Sequence, residues 1–554
     1  VDRVREIGRD PYHDTPLIAD VWDVTAQAPG EWRSGTKAGI AVTSNLACKG
    51  GWFRTLEAIY NLTGDEQYKK EITDTYQYYL DHYIDEESGL LYWGGHAAVD
   101  LKEGKGYLVD NATYHELKNN SVYIKPFFDL DPERAENIIK DILCSHMVDW
   151  KALMFNRHGT YMKETDTSNW DGWKTWKNTV QSDTFGPNSY INSQNISFRA
   201  AGSDFIDLLG DLYKYRGDQG ALTWAKNILD CYWRVENPET LVGGYQSSSS
   251  FNVASRILPE DWWKPQNYAE RLTYTDYGDR FYNQFADDLI DQGYLTEDER
   301  WMVREPFLSH IDDYTITILH DLSLAKNFGL ESENGSRILE HAVKKQGMFV
   351  DQAYHPDTNK LSGRLLSNGK TMDGFVVKKC GYYGGESAIG EVYGTDNVSA
   401  ITLLSYAQTY LDSKDRSDLE EYRSKIYSLI RNYFKAEGLG DLGEKYPGDN
   451  MQLNMDTTLT DGYFCMVMTY LYRATGITEY LDVARRIADN FINNCMVDGL
   501  FWLNSDDRFI PLGGWKSERM HYALAMLEAT ICGEADDLPS YIPFDAYFSD
   551  AAWD

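Results

Sequence analysis

A helical hairpin that keeps returning constrains this chain more than any other feature. Leu46 to Leu62 repeats apolar residues every three or four positions, Thr63-Gly64-Asp65 breaks the run, and Tyr68 to Tyr83 resumes it. The layout returns at Phe205 to Tyr215 with Leu222 to Trp233, divided by Arg216-Gly217-Asp218. It appears again at Ile401 to Leu411 with Leu419 to Phe434, and at Phe464 to Ala474 with Tyr480 to Ile492. Single helices are predicted at Ala135 to Trp150, Thr315 to Phe328 and Arg519 to Cys532. Hairpins spread over 554 residues bury their apolar stripes by stacking on one another, as an open solenoid or a closed ring. Uneven repeat length disfavours the solenoid. The predicted fold is therefore all-α dominated, an (α/α) toroid forming one domain over 1–554, with long loops and minor β-hairpins. In such a ring, function is expected in the loops around the central cleft, here Tyr161 to Asn195, Val242 to Asp279 and Asn359 to Asn397. Strand-like runs such as Gly374 to Val377 are too few for a sandwich, and neither a GxGxxG nor a Walker-type loop is present.

Charge narrows the partners. A formal net charge of −33 repels nucleic acid and anionic lipid, so neither is expected as a partner. No stretch approaches the roughly 18 apolar residues of a spanning helix. The chain begins with Val1, which fits a removed signal peptide or a trimmed start; a periplasmic or secreted location is expected, with a cytoplasmic one open. Seven cysteines lie scattered without metal-type spacing and read mostly as small buried hydrophobes. Aromatic residues reach 14%, an excess of rings that suits sugar surfaces and core filling alike.

Ligand-type side chains concentrate in the first third, within 89–159. The segments are Gly-Leu-Leu-Tyr-Trp-Gly-Gly-His (89–96), His-Glu-Leu-Lys (115–118) and Phe-Asn-Arg-His-Gly (155–159). Two imidazoles and a carboxylate, His96, Glu116 and His158, can hold a metal and leave places open for a substrate oxygen. Spacing alone also admits a structural reading in which His115 and His158 hydrogen-bond loop backbone. A zinc-protease helix is excluded, because the second histidine of HExxH falls on Asn119. Acid pairs such as Asp204 with Asp207 and Asp456 with Asp461 keep a glycoside hydrolase open.

Taken together and in order, the three segments resemble polysaccharide lyase family 2, the pectate lyases built on an α/α toroid. Glu116 follows His96 by 20 residues and His158 follows Glu116 by 42, in register with that family. The resemblance covers roughly positions 40–165. It implies about seven helical hairpins and β-elimination on polygalacturonate or oligogalacturonides, an acidic polysaccharide substrate. It also implies a divalent metal on His96, Glu116 and His158, and proton abstraction by Arg157. Two nitrogen donors favour manganese, cobalt, nickel or zinc over calcium; manganese(II) is the expected ion, with cobalt, nickel or zinc as alternatives. An arginine base implies an alkaline optimum, since a guanidinium is protonated below about pH 12. The alternative for Arg157 is a carboxylate clamp.

A polyanionic substrate on an acidic protein requires a local basic patch. The candidates are Lys118, Lys125, Lys151, Lys174, Lys177, Lys378, Lys379, Lys516 and Arg519, with the pair Lys378-Lys379 foremost outside the motifs. His115, Lys118, Trp173, Lys378 and Lys379 are expected at the substrate, Trp173 by stacking or, equally, as a core anchor. Two further readings remain: a hydrolase of unsaturated uronides using a carboxylate pair, and a non-catalytic sugar-binding protein.

Overall fold

A computed structural model describes residues 1–33, 40–108, 114–117, 122–150, 153–155, 158–176, 199–234, 236–242, 287–302, 311–366, 368–378, 390–443, 450–502 and 508–543. After a short N-terminal α1 (Asp2–Gly8), the helices pair in chain order. The pairs are α2 (Gly50–Thr63) with α3 (Glu66–His82), α4 (Lys125–Leu130) with α5 (Pro132–His146), and α6 (Arg199–Arg216) with α7 (Gln219–Arg234). They continue as α8 (Ile311–Phe328) with α9 (Glu333–Ala353), α10 (Ala400–Asp412) with α11 (Glu420–Ala436), and α12 (Gly462–Thr475) with α13 (Thr478–Cys495). A last helix, α14 (Trp515–Cys532), stands without a following partner among the described residues.

The first members of these pairs touch in sequence, α6 to α8 to α10 to α12 to α14 to α2, and the hairpin α4–α5 fills the remaining arc between α3 and α6. That closes a ring of inner helices inside a layer of outer ones, so the toroid expected from the hairpin rhythm is the observed fold. One large apolar core runs through the wall, with Trp52, Tyr76, Trp224, Tyr406 and Tyr480 among its fully buried rings. Several features differ from expectation, among them the short α1 and α4, which the sequence pattern does not predict. The helix predicted to reach Trp150 stops at His146, where β-pairing takes over at Met147. Helix α9, 21 residues long, was not foreseen; Gly335 and Gly347 break its apolar pattern, and both are needed for close approach. A Cβ on Gly347 would stand 2.7 Å from the Tyr422 side chain of α11.

Turns within hairpins are short. Gly64 closes α2 in the left-handed region (φ 66°) with its N–H on the Tyr60 carbonyl, and Asp65 caps α3 by accepting from the Gln67 N–H. Connections between hairpins are long, and because every inner helix runs the same way, all of them gather at the end where inner helices begin. The ring is sealed by strands from both ends of the chain: β1 (Val21–Asp23) pairs with β2 (Ala28–Pro29) and with β8 (Phe509–Pro511), in the register Val21 to Pro511. The Gly51 N–H at the start of α2 donates to the Glu518 carboxylate of α14 across the same seam, 3.0 Å.

Candidate metal centre

The long-loop end carries the three sequence segments on small strands. β3 (Thr43–Ser44), β4 (Ala97–Asp100) and β5 (Lys105–Leu108) form one antiparallel sheet, and β6 (Tyr114–Glu116) pairs with β7 (His158–Thr160) in another. In that second pair Glu116 lies directly opposite His158, and His115 opposite Gly159. His96 leads into β4. Asn45 fixes its approach by donating to the Gly94 carbonyl (2.9 Å) and accepting from the Gly94 N–H (3.2 Å).

The Gly-Gly step before His96 has a steric cause. Gly94 takes φ 108°, which suits glycine, and a Cβ on Gly95 would fall 2.0 Å from Glu116 Oε2. The glycines thus make room for a carboxylate. Glu116 places Oε2 3.3 Å from His96 Nε2 and Oε1 3.4 Å from His158 Nε2, and one ligand atom from each residue can be chosen so that all lie within 4.8 Å of one another. The side chains are 35% (His96), 22% (His158) and 5% (Glu116) exposed, so the carboxylate forms the floor and the imidazoles face the opening. Bonds of about 2.0–2.2 Å to a shared ion put its ligand atoms about 3.0–3.5 Å apart, and the donor set is that of a borderline transition metal. The residues fit such an ion.

Strand alternation separates the neighbours His115 and Glu116 onto opposite faces. His115 is fully buried, edge-on to Trp93 at 4.6 Å, with Nδ1 2.8 Å from His146 Nε2. Burial, then the adjacent His146, push its pKa well below the usual imidazole range. It touches no solvent, which leaves the expected substrate contact without support. It supports the strand that carries Glu116. His146, at the end of α5, was missed by sequence reasoning because nothing in a helix-end histidine signals a partner 31 residues earlier.

The other expected substrate residues divide. Trp173 packs against Gly220 in the first turn of outer helix α7, the end of the ring remote from the histidines, and Trp176 and Trp224 donate to the carbonyls of Trp150 and Trp170. These rings anchor the described part of the loop to the outer wall, which favours the core-anchor alternative for Trp173. Lys378 has an exposed side chain beside a smaller apolar cluster around Leu366 and Phe375; its backbone N–H donates to Asp288. Arg157, Lys118, Lys151, Lys177 and Lys379 lie outside the described residues. Of the remaining basic candidates, Lys125 pairs with Glu57 and Asp129, Lys174 with Asp171, and Arg519 with Asp461.

Compared with protein families, residues 15–551 match the family described as periplasmic pectate lyase. The chain belongs to that family. A curated relative, the pectate disaccharide-lyase of Dickeya dadantii (strain 3937), is 27% identical over 390 residues, 69% of this chain. The family member described here spans 66% of that relative's length. Solved structures similar to it include a sugar epimerase from a ruminal bacterium, 12% identical with a TM-score of 0.44, covering 96% of this chain and 95% of that one. A D-mannose isomerase aligns at 11% identity and TM-score 0.40, covering 96% of each chain. No helix among the described residues is long and apolar enough to cross a membrane.

Proposed function

We propose that this chain is a metal-assisted pectate lyase that cleaves polygalacturonate or its oligomers by β-elimination in the periplasm. The observation that carries the reading is the convergence of His96, Glu116 and His158 on one point in a chain of this family. A divalent transition metal held there would act as a Lewis acid on the uronate carboxylate and stabilise the negative charge that develops when the neighbouring proton leaves. Glu116 sets the spacing of the two imidazoles, and His115 with His146 holds the strand beneath it. Arg157, next in the chain to His158, takes the proton from C5 while in its neutral form; the C5–H electron pair becomes the C4–C5 double bond, the C4–O bond breaks, and the departing oxygen leaves with the neighbouring sugar and takes a proton from water.

The hydrolase alternative is weakened by the fate of its acid pairs. Asp204 and Asp207 are buried on either side of His320, each 3.7 Å away, and Asp461 caps α12 and pairs with Arg519. None of these three is free to act as an acid or base on a sugar.

Incubation with polygalacturonate, followed by ultraviolet absorption, tests the proposal. Absorbing product should form, vanish with a strong chelator and return with manganese; reducing ends without absorbance would overturn it in favour of hydrolysis, and neither signal would favour a binding protein. Arg157→Lys should keep metal binding and lose on the order of a hundredfold in kcat, whereas a clamp would be damaged mainly in KM.

A further inference from the structure

Arg54 occupies the second turn of α2, the inner helix whose entry is tied to Gly94 through Asn45. It is only 6% exposed. Its Nε has no hydrogen-bond partner, and among the described residues its guanidinium enters no ion pair. It lies over the face of Tyr123, Cζ 4.6 Å from the ring centroid. A Cβ on Gly50 would stand 2.7 Å from Nη1, so the guanidinium folds back toward the first residue of α2 and hence toward the long-loop end.

Carboxylates within its electrostatic reach are committed elsewhere or held short of full charge: Asp211 accepts from Asn327 (3.0 Å), and burial, then the neighbouring Asp207, raise its pKa to about 7. Glu57 accepts from Tyr123 and pairs with Lys125, and Asp207 shares His320 with Asp204. Glu518, at the start of α2, accepts from the Gly51 N–H and from the Tyr541 hydroxyl. A buried, unpaired cation is costly, and one at the positive end of a helix dipole is opposed a second time. An anion seated there would relieve both penalties, and a carboxylate matches the two-pronged guanidinium best.

We infer that Arg54 forms a carboxylate-binding site at the mouth of the ring, taking a uronate unit of the sugar chain. The inference rests on the galacturonan reading above and adds a residue that recognises acidic over neutral sugars. It is tested by calorimetry on the full chain with a strong chelator present, so that a metal contributes nothing, using digalacturonate and the neutral disaccharide of galactose as probes. Wild type should bind digalacturonate and prefer it over the neutral sugar. Arg54→Met should weaken that binding on the order of tenfold or more, and Arg54→Lys should fall between, since it keeps the charge and loses the fork.

Thermal melting supplies the second readout. Arg54→Met should melt at or above the wild-type temperature, because it removes an unpaired buried charge and keeps an apolar stem on Tyr123. Wild type that binds no digalacturonate, equal binding by wild type and Arg54→Met, or a clear drop in the melting temperature of Arg54→Met would each overturn the inference. Arg54-dependent binding without any elimination product would overturn the proposed function and leave this site standing; elimination with Arg54-independent binding would do the reverse.

Discussion

Single residues of this protein draw their roles from which way their backbone turns them. Asp141 on α5 presses its carboxylate toward Gly89, where a Cβ would lie 2.1 Å from Oδ2, and burial raises its pKa to about 6. A carboxyl that binds its proton more tightly folded than unfolded costs stability once ionised: the penalty is absent below about pH 4, grows as the pH climbs to about 6, and is constant above. Discounted for the solvent that still reaches the side chain, it amounts to about 1–2 kcal/mol. Asp141→Asn should therefore raise the melting temperature by about 1–2 °C at pH 8 and leave it unchanged at pH 4, as followed by circular dichroism; a gain at both pH values would assign the effect to packing. His96, Glu116 and His158 were legible as a set because three segments stood in order and in register. The role of His115 was not, since only the pairing of β6 with β7 decides that it faces inward while its neighbour faces the opening.

At the scale of elements, the candidate metal centre is two short strands and one loop held against helix ends. Gly95→Ala probes that arrangement, because its Cβ would arrive 2.0 Å from Glu116 Oε2 and force the carboxylate aside. The variant should fold with near-native helicity yet bind manganese at least roughly tenfold more weakly by calorimetry, a loss of the size expected when a ligand's support is disturbed. Unchanged affinity would mean that the carboxylate has room to give. Helices with an unbroken apolar stripe, such as α7 and α13, were readable from the sequence, whereas α9 hid behind glycines that exist to let helices touch. Trp173 was open between a sugar platform and a core anchor for a related reason: only the packing of residues 170–176 on the outer wall favours the anchor.

For the whole molecule, the sign of the electrostatic field matters more than any one pair. Among the described members of the expected basic groove, those at positions 125, 174 and 519 are each neutralised by a carboxylate, Lys378 stands exposed, and the chain as a whole carries −33. Long polygalacturonate should then associate faster as salt rises from about 10 to about 150 mM, because the screening length shrinks from about 30 to about 8 Å and the mutual repulsion with it. Stopped-flow mixing checks this, and an on-rate that falls with salt would point to an uncompensated basic cleft instead. The division of the ring into a long-loop end and a short-turn end has a practical corollary. Around Gly64, Gly217 and Gly476 a Cβ would meet nothing within 4 Å, so these turns stand in open space. They are separated from the loops by the length of an inner helix, roughly 21 Å for the 14 residues of α2. A tether inserted at such a turn would fix the protein to a bead or an electrode base down, leaving its mouth toward the polymer in solution.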